Sequence, residues 1–367
     1  MVIEKLEMWV VEMKQRPPVA PYTHRGSGKP GDYQAGQWST TSLLVKLTTD
    51  TGIVGWGETV GVDPKELPTM QETWSKELIG TDPFQLEEFY LGPLRKEPAF
   101  KSAAEMALWD IIGKACGQPV CRLLGGVVRE KVPVAACMGI RSYEEAGKIA
   151  QQYVEMGFHT LKTKAGRDPE EDLEMVRGIR DRVGNALQLR IDANQGYSFD
   201  VALALCRRLE PYRLQYFEQP CPADALDEMA ELRRATKVPI AVNESVGDPE
   251  TVPPIIEKRA ADVLMPDTPQ SGGVWAVKKI AHIAEASRLT CVMHCGHDLG
   301  IKTAAMLHIA ASSPTFRYGN DTTYYSMEDD VLKHPFQIVD GFIEVPLSPG
   351  LGIEVDEEKV HRYAIVS

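Results

Sequence analysis

From residue 132 onward, short apolar runs recur along the chain, at 132–138, 159–164, 187–192, 214–218, 238–242, 261–265, 290–293 and 316–319. Between them lie segments with helical apolar spacing, among them 142–156, 169–183, 199–209, 223–235 and 273–287. Buried runs alternating with amphipathic helices predict successive βα units and a parallel sheet. Eight such units predict closure into a barrel rather than an open sheet.

The flanking segments differ. In residues 1–127 a strand-like start, 1–11, and strands at 41–48 and 52–58 give way to helices near 68–78 and 102–116, which predicts a separate α+β domain. Residues 17–38, rich in Pro, Gly and polar side chains, predict a long functional loop within it. The barrel is assigned to 128–328. Residues 329–367 lose the alternation, carry a loop at 346–352, and are expected to return to the first domain.

Composition narrows the function classes. A content of 43% hydrophobic and 25% charged residues is that of a globular protein, and no stretch approaches the ~18 apolar residues of a spanning helix. The N-terminus reads as a strand rather than a signal peptide, and the odd count of seven cysteines has no framework spacing, so a cytoplasmic protein with reduced thiols is expected. Asn243 and Asn320 head Asn-x-Ser/Thr triplets that are then chance matches. The net charge of -12, without a basic stripe, excludes nucleic acid as a partner. An acidic protein that binds a small anion needs local positive charge, for which a divalent cation is the candidate. Gly26–Gly31 matches a dinucleotide fingerprint, but it neither follows a buried strand nor opens a helix, and Pro30 interrupts it.

The chemistry lies where the runs end, on the face where barrels build active sites. Runs three to five end at Asp192, Glu218 and Glu244, at intervals of 26 residues. Carboxylates converging from adjacent strands repel unless a cation joins them, and oxygen-only ligands favour Mg²⁺. Asn243, beside Glu244, is the alternative ligand. Run two ends with Lys162 and Lys164 on one strand face, where mutual repulsion favours one neutral lysine as a base. Runs six and seven end at Asp267 and His294, a pair in which the carboxylate fixes the tautomer of the imidazole. His297 is the competing acid–base group. A proton α to a carboxylate is very weakly acidic, and its removal requires stabilising an enediolate, for which a metal with a Lys or His base is suited.

At these residues the chain resembles the enolase superfamily, and most closely its mandelate racemase branch, through LKTKAG at 161–166, IDANQ at 191–195, MPDTPQSGGV at 265–274 and His294. The resemblance implies a (β/α)₇β barrel under an N-terminal α+β capping domain completed by the C-terminus, one Mg²⁺ per site, a small carboxylate substrate and a homo-oligomer. It implies Lys164 as base on one face with Lys162 as electrostatic partner, the Asp267–His294 dyad on the other, and Asn194 near the substrate. The cap loop, with Tyr22, His24 and Arg25, would close on the substrate, and Asn320 and Asp321 end the eighth strand beside it. The sequence departs from the pattern at Asp267, where the muconate-lactonizing branch has a lysine, at the hybrid Asn243-Glu244-Ser245, and at Asn320-Asp321, where mandelate racemase has a glutamate. Dehydration of an acid sugar or small hydroxy acid is the leading expectation. Racemisation or epimerisation between Lys164 and His294 is the alternative. A silent binding protein is disfavoured by the intact ligands and bases, and a metal hydrolase by the lack of His-rich strand ends.

Overall fold

The computed structural model describes residues 1–19, 24, 38–92 and 97–365. Its N-terminal sheet is antiparallel, in the order β1 (Ile3–Gln15), β2 (Trp38–Thr49) and β3 (Val54–Val60). One face packs on α1 (Leu67–Leu78) and α3 (Pro98–Ala115), around Leu43, Val45, Leu47, Trp74 and Ala107, with the short helices α2 (Leu86–Leu91) before and α4 (Val120–Leu123) after α3. Two glycines permit this approach: a Cβ on Gly55 would lie 2.1 Å from the Ala107 carbonyl oxygen, and one on Gly57 1.8 Å from that of Ala103. Helix α3 is buried on nearly all sides, because its other flank faces the barrel.

The second sheet is the barrel. Its strands run β4 (Lys131–Met138), β5 (Thr160–Lys164), β6 (Gln188–Asp192), β7 (Tyr216–Glu218), β8 (Ile240–Val242), β9 (Val263–Leu264), β10 (Thr290–Cys291) and β11 (Asn320–Asp321), each parallel to its neighbour, with β11 pairing back onto β4. The seam between β10 and β11 is closed by the Asp321 N–H donating to the Met293 carbonyl (3.0 Å) and the Met293 N–H to Asn320 Oδ1 (2.8 Å). The strands are connected by α5 (Tyr143–Glu155), α6 (Pro169–Val183), α7 (Phe199–Leu209), α8 (Leu226–Ala235), α9 (Val252–Lys258), the four-residue α10 (Thr268–Ser271) with α11 (Val274–Ala286), and α12 (Gly300–Ala311). This is the (β/α)₇β barrel with an α+β cap. Helix α6 shows how local sequence sets the bounds: Asp168 caps the N–H groups of Glu170 and Glu171, Pro169 opens the first turn, and Gly184 at φ 57 ends the last.

The eighth strand corrects an expectation. The apolar run 316–319 is only the approach, and pairing occurs at the polar Asn320 and Asp321. Apolarity misplaces this strand because both paired residues are polar yet satisfied: Asn320 bonds backbone groups in the seam, and Asp321 meets Lys162 and Arg190.

Two carboxylates from the cap hold the N-termini of barrel helices. Glu58 on β3 accepts from the N–H of Leu299 (2.7 Å) and Lys302 (2.9 Å) at the start of α12. Glu105 on α3 accepts from the N–H of Val274 (2.7 Å) and Trp275 (2.9 Å) at the start of α11. The first N–H groups of a helix need acceptors from outside it, so these contacts seat the cap over the C-terminal ends of β9 and β10. Beyond the barrel, β12 (Phe342–Glu344) runs antiparallel to the start of β4, and after α13 (Glu357–Tyr363) the Ile365 N–H donates to the Val10 carbonyl at 2.8 Å. The seven cysteines are free thiols. Among the described residues no helix is long and apolar enough to cross a membrane.

Candidate active site

Strand register places the chemistry. Lys164 on β5 pairs with Asp192 on β6, which pairs with Glu218 on β7, so the three side chains stand in one row at the strand ends. One layer below, Cys137, Lys162 and Arg190 form a second row. The lysines, expected to repel each other, are instead each held by carboxylates. Lys164 Nζ lies 2.5 Å from Asp192 Oδ2. Lys162 Nζ lies 2.8 Å from Glu218 Oε2, 2.9 Å from Asp321 Oδ2 and 3.2 Å from Asp192 Oδ2.

Glu244 stands beyond β8. Its Oε1 accepts from Asn194 Nδ2 at 3.1 Å, while its Oε2 is buried with no hydrogen-bond partner among the described residues. Asn194 reaches it from a left-handed backbone (φ 45), with its own N–H donating to Asp192 Oδ1 at 2.9 Å. Asn243 faces the scaffold: its Nδ2 donates to the Met265 carbonyl at 2.8 Å and its backbone N–H to Gln219 Oε1 at 3.1 Å.

On the opposite flank His294 Nδ1 lies 3.0 Å from Asp267 Oδ2. An ionised carboxylate only accepts, so Nδ1 carries the proton and Nε2 is the basic nitrogen. Burial alone would raise the Asp267 carboxyl, but Lys302 and His294 bring it down to about 2. His297, the competing imidazole, accepts at Nδ1 from Gln15 Nε2 of the cap (2.7 Å). Burial, with Lys164, His294 and Lys302 nearby, lowers it to about 4, so it is neutral at pH 7 and poorly suited as a base.

Asn320 and Asp321 do not act as a pair. Asn320 is fully buried with its amide bonded to the Met293 N–H and the Pro133 carbonyl, in the barrel seam. Asp321 binds Lys162 through Oδ2 and Arg190 through Oδ1, at 2.9 and 2.5 Å. Tyr22 and Arg25, like 26–31, lie outside the described residues, and His24 is exposed.

Sequence reasoning missed Arg190, Lys302, Asp298 and Gln15. Two of them left a signal. Arg190 is a charge in the middle of a buried strand, and Lys302 stands four residues after Asp298 at the start of an otherwise apolar helix.

Residues 145–359 match the family model "Enolase C-terminal domain-like", and residues 30–125 match "Mandelate racemase / muconate lactonizing enzyme, N-terminal domain". The chain belongs to the mandelate racemase/muconate lactonizing enzyme family of the enolase superfamily. Among its relatives, N-succinyl-L-Arg/Lys racemase of Bacillus cereus is 29% identical over 88% of this chain and 90% of that protein. D-galactarolactone cycloisomerase of Agrobacterium fabrum is 31% identical over the same shares, 88% and 90%. A solved isomerase from Streptomyces coelicolor superposes with a TM-score of 0.85 at 31% identity, covering 99% of this chain and 98% of that one.

Enolase-superfamily members generally use Mg²⁺, and the donors here fit a hard divalent cation. Six carboxyl groups, Asp192, Glu218, Glu244, Asp267, Asp298 and Asp321, gather here with four basic side chains, Lys162, Lys164, Arg190 and Lys302, so acidic groups outnumber basic ones by two. Burial and the adjacent Asp192 hold the Glu218 carboxyl well above its ordinary range, as expected where charge is uncompensated. Asp192 goes the other way, because Lys164 and Lys162 outweigh its burial. Among the described residues no three acidic, His or Cys side chains already form a cage. The lysine ammoniums provide the positive charge between the carboxylates.

Proposed function

We propose that the protein is an isomerase that removes the α-proton of a small carboxylate substrate and returns a proton to the resulting enediolate. The reading rests on one arrangement: Lys164 stands at the end of β5 against Asp192, while His294, held by Asp267, stands just past β10 on the other flank of the barrel mouth. The two acid–base groups thus approach a common centre from strands on different sides of the barrel. Lys164, once neutral, accepts the α-proton on one face of the substrate. His294 Nε2 accepts or donates on the other, with Asp267 stabilising its charged form. Lys162 adds a fixed positive charge beneath the site, and Asn194 presents its amide beside Glu244. Mg²⁺, held by Asp192, Glu218 and Glu244, would offset the charge that develops on the substrate carboxylate. Glu244 is preferred over Asn243 as the third ligand because it has the orphaned buried oxygen.

The named relatives include a racemase and a cycloisomerase, which supports rearrangement over loss of water. Dehydration is retained as the second reading because His294, paired to an ionised Asp267, can also protonate a departing β-hydroxyl. Proton NMR in D₂O with Mg²⁺ and a panel of acid sugars, hydroxy acids and N-acyl amino acids separates the two. Exchange of the α-proton with inversion or ring rearrangement supports the isomerase. Exchange with a 2-keto-3-deoxy product would replace it by the dehydratase.

A further inference from the structure

Helix α12 (Gly300–Ala311) is buried along its whole length, and Lys302 is its one lysine, with no Arg, Asp or Glu in the helix. An ammonium in such a place is unfavourable unless it is paired. Its partners are specific. Nζ lies 2.9 Å from Asp267 Oδ1 and 2.7 Å from Asp298 Oδ1, and the side chain is 3% exposed. The oxygen of Asp267 that meets Lys302 is the one His294 does not use.

We propose that Lys302 is a positioning residue for proton transfer at His294, acting through Asp267. This rests on His294 being the acid–base group of the reaction proposed above. The ammonium has two effects. It divides the Asp267 oxygens, which holds the carboxylate with Oδ2 toward Nδ1 and leaves Nε2 to the substrate. It also offsets the charge of Asp267, so that the imidazolium is not overstabilised and His294 can release a proton as well as take one.

The surrounding ionisable groups are few, and burial raises the carboxyls of Glu58, Asp298 and Asp330. Asp298 shares Lys302 from the turn before α12, and Glu58 holds the first turn of the helix from β3. Asp330 accepts from the Gly300 N–H at 3.0 Å. Across the mouth of the barrel, His297, Asp192 and Asp321 are within electrostatic reach of His294. Burial works against the charge of Lys302, but pairing with Asp267 and Asp298 raises it above its ordinary range.

The test is an NMR titration of ring-labelled histidine in the full chain, with His294→Asn to assign the signal. Removing the cation in Lys302→Met leaves more uncompensated negative charge around His294, so its midpoint should rise by about one pH unit. The kcat for α-proton exchange should fall roughly a hundredfold with KM little changed. Lys302→Arg, which keeps the charge, should restore the midpoint. Asp298→Asn removes a negative charge while Lys302 stays paired with Asp267, so it should lower the midpoint, and it carries the test if Lys302→Met does not fold. A His294 midpoint that is the same in the wild type and in every folded variant would overturn the proposal, whatever happens to activity. The titration needs no substrate. If the wild type exchanged no α-proton while these shifts appeared, the proposed reaction would fail and the hold of Lys302 on His294 would stand.

Discussion

Lys164 and His294 have separable duties if they serve opposite faces of one α-carbon. Lys164→Ala should slow exchange from the enantiomer it faces by on the order of 10²–10⁴. Exchange from the other enantiomer should persist, and interconversion should be lost. His294→Asn should give the mirror result. Deuterium incorporation into each pure enantiomer measures this, and equal loss from both in either variant would argue against opposed bases. Arg190 supports the same chemistry from below. It is fully buried, yet Tyr216 and Asp321 hold its guanidinium above its ordinary range against the effect of burial, and through Asp321 it fixes one of the partners of Lys162.

Among the elements, the N-termini of α11 and α12 decide how the cap sits. Burial, then the charge of Asp298, raises Glu58 from 4.5 to about 8. The folded protein therefore holds this proton more tightly than the unfolded chain does. Its contribution to stability is fully present below pH 4.5 and is lost as the pH rises through about 8. Thermal midpoints should accordingly decline across that window, and Glu58→Gln, which cannot ionise, should flatten the decline. Glu105, raised by burial to about 7, acts in the same direction and leaves part of the slope in place. A slope unchanged in Glu58→Gln would mean that the carboxyl is ionised throughout. The sheet-to-α3 contact is testable in the same way. A Cβ at Gly57 would stand 1.8 Å from a helix carbonyl, so Gly57→Ala should cost about 1–3 kcal/mol or more in urea unfolding. A cost near zero would mean that the helix can withdraw without penalty.

For the molecule as a whole, the expected cation should couple folding to function. Mg²⁺ bound by the native site alone should stabilise it by about 2.7 kcal/mol at a hundred times the dissociation constant. Thermal unfolding with increasing Mg²⁺ measures that increment, and Glu244→Gln should shrink it. Chelation should abolish α-proton exchange. Full exchange by chelated protein would remove the metal from the mechanism, and an increment unchanged in Glu244→Gln would move the third ligand to Asn243.

Much of this was legible because it is local. Apolar runs alternating with helical spacing report which side of each segment is buried, and a polar residue at the end of a buried run stands out; that is enough to place Lys162, Lys164, Asp192, Glu218, Glu244, Asp267 and His294 around a barrel mouth. Local pattern cannot report what a buried side is buried against. The cap seated by Glu58 and Glu105, Asn320 closing the seam, Gln15 holding His297, and Lys302 bridging Asp267 and Asp298 depend on residues mostly far apart in the chain. Which of two adjacent side chains, Asn243 or Glu244, keeps a free oxygen was likewise open until the packing around strand five of the barrel was in place. The periodicity of the backbone writes the elements into the sequence, while charge pairing through space depends on distances that only the folded chain creates.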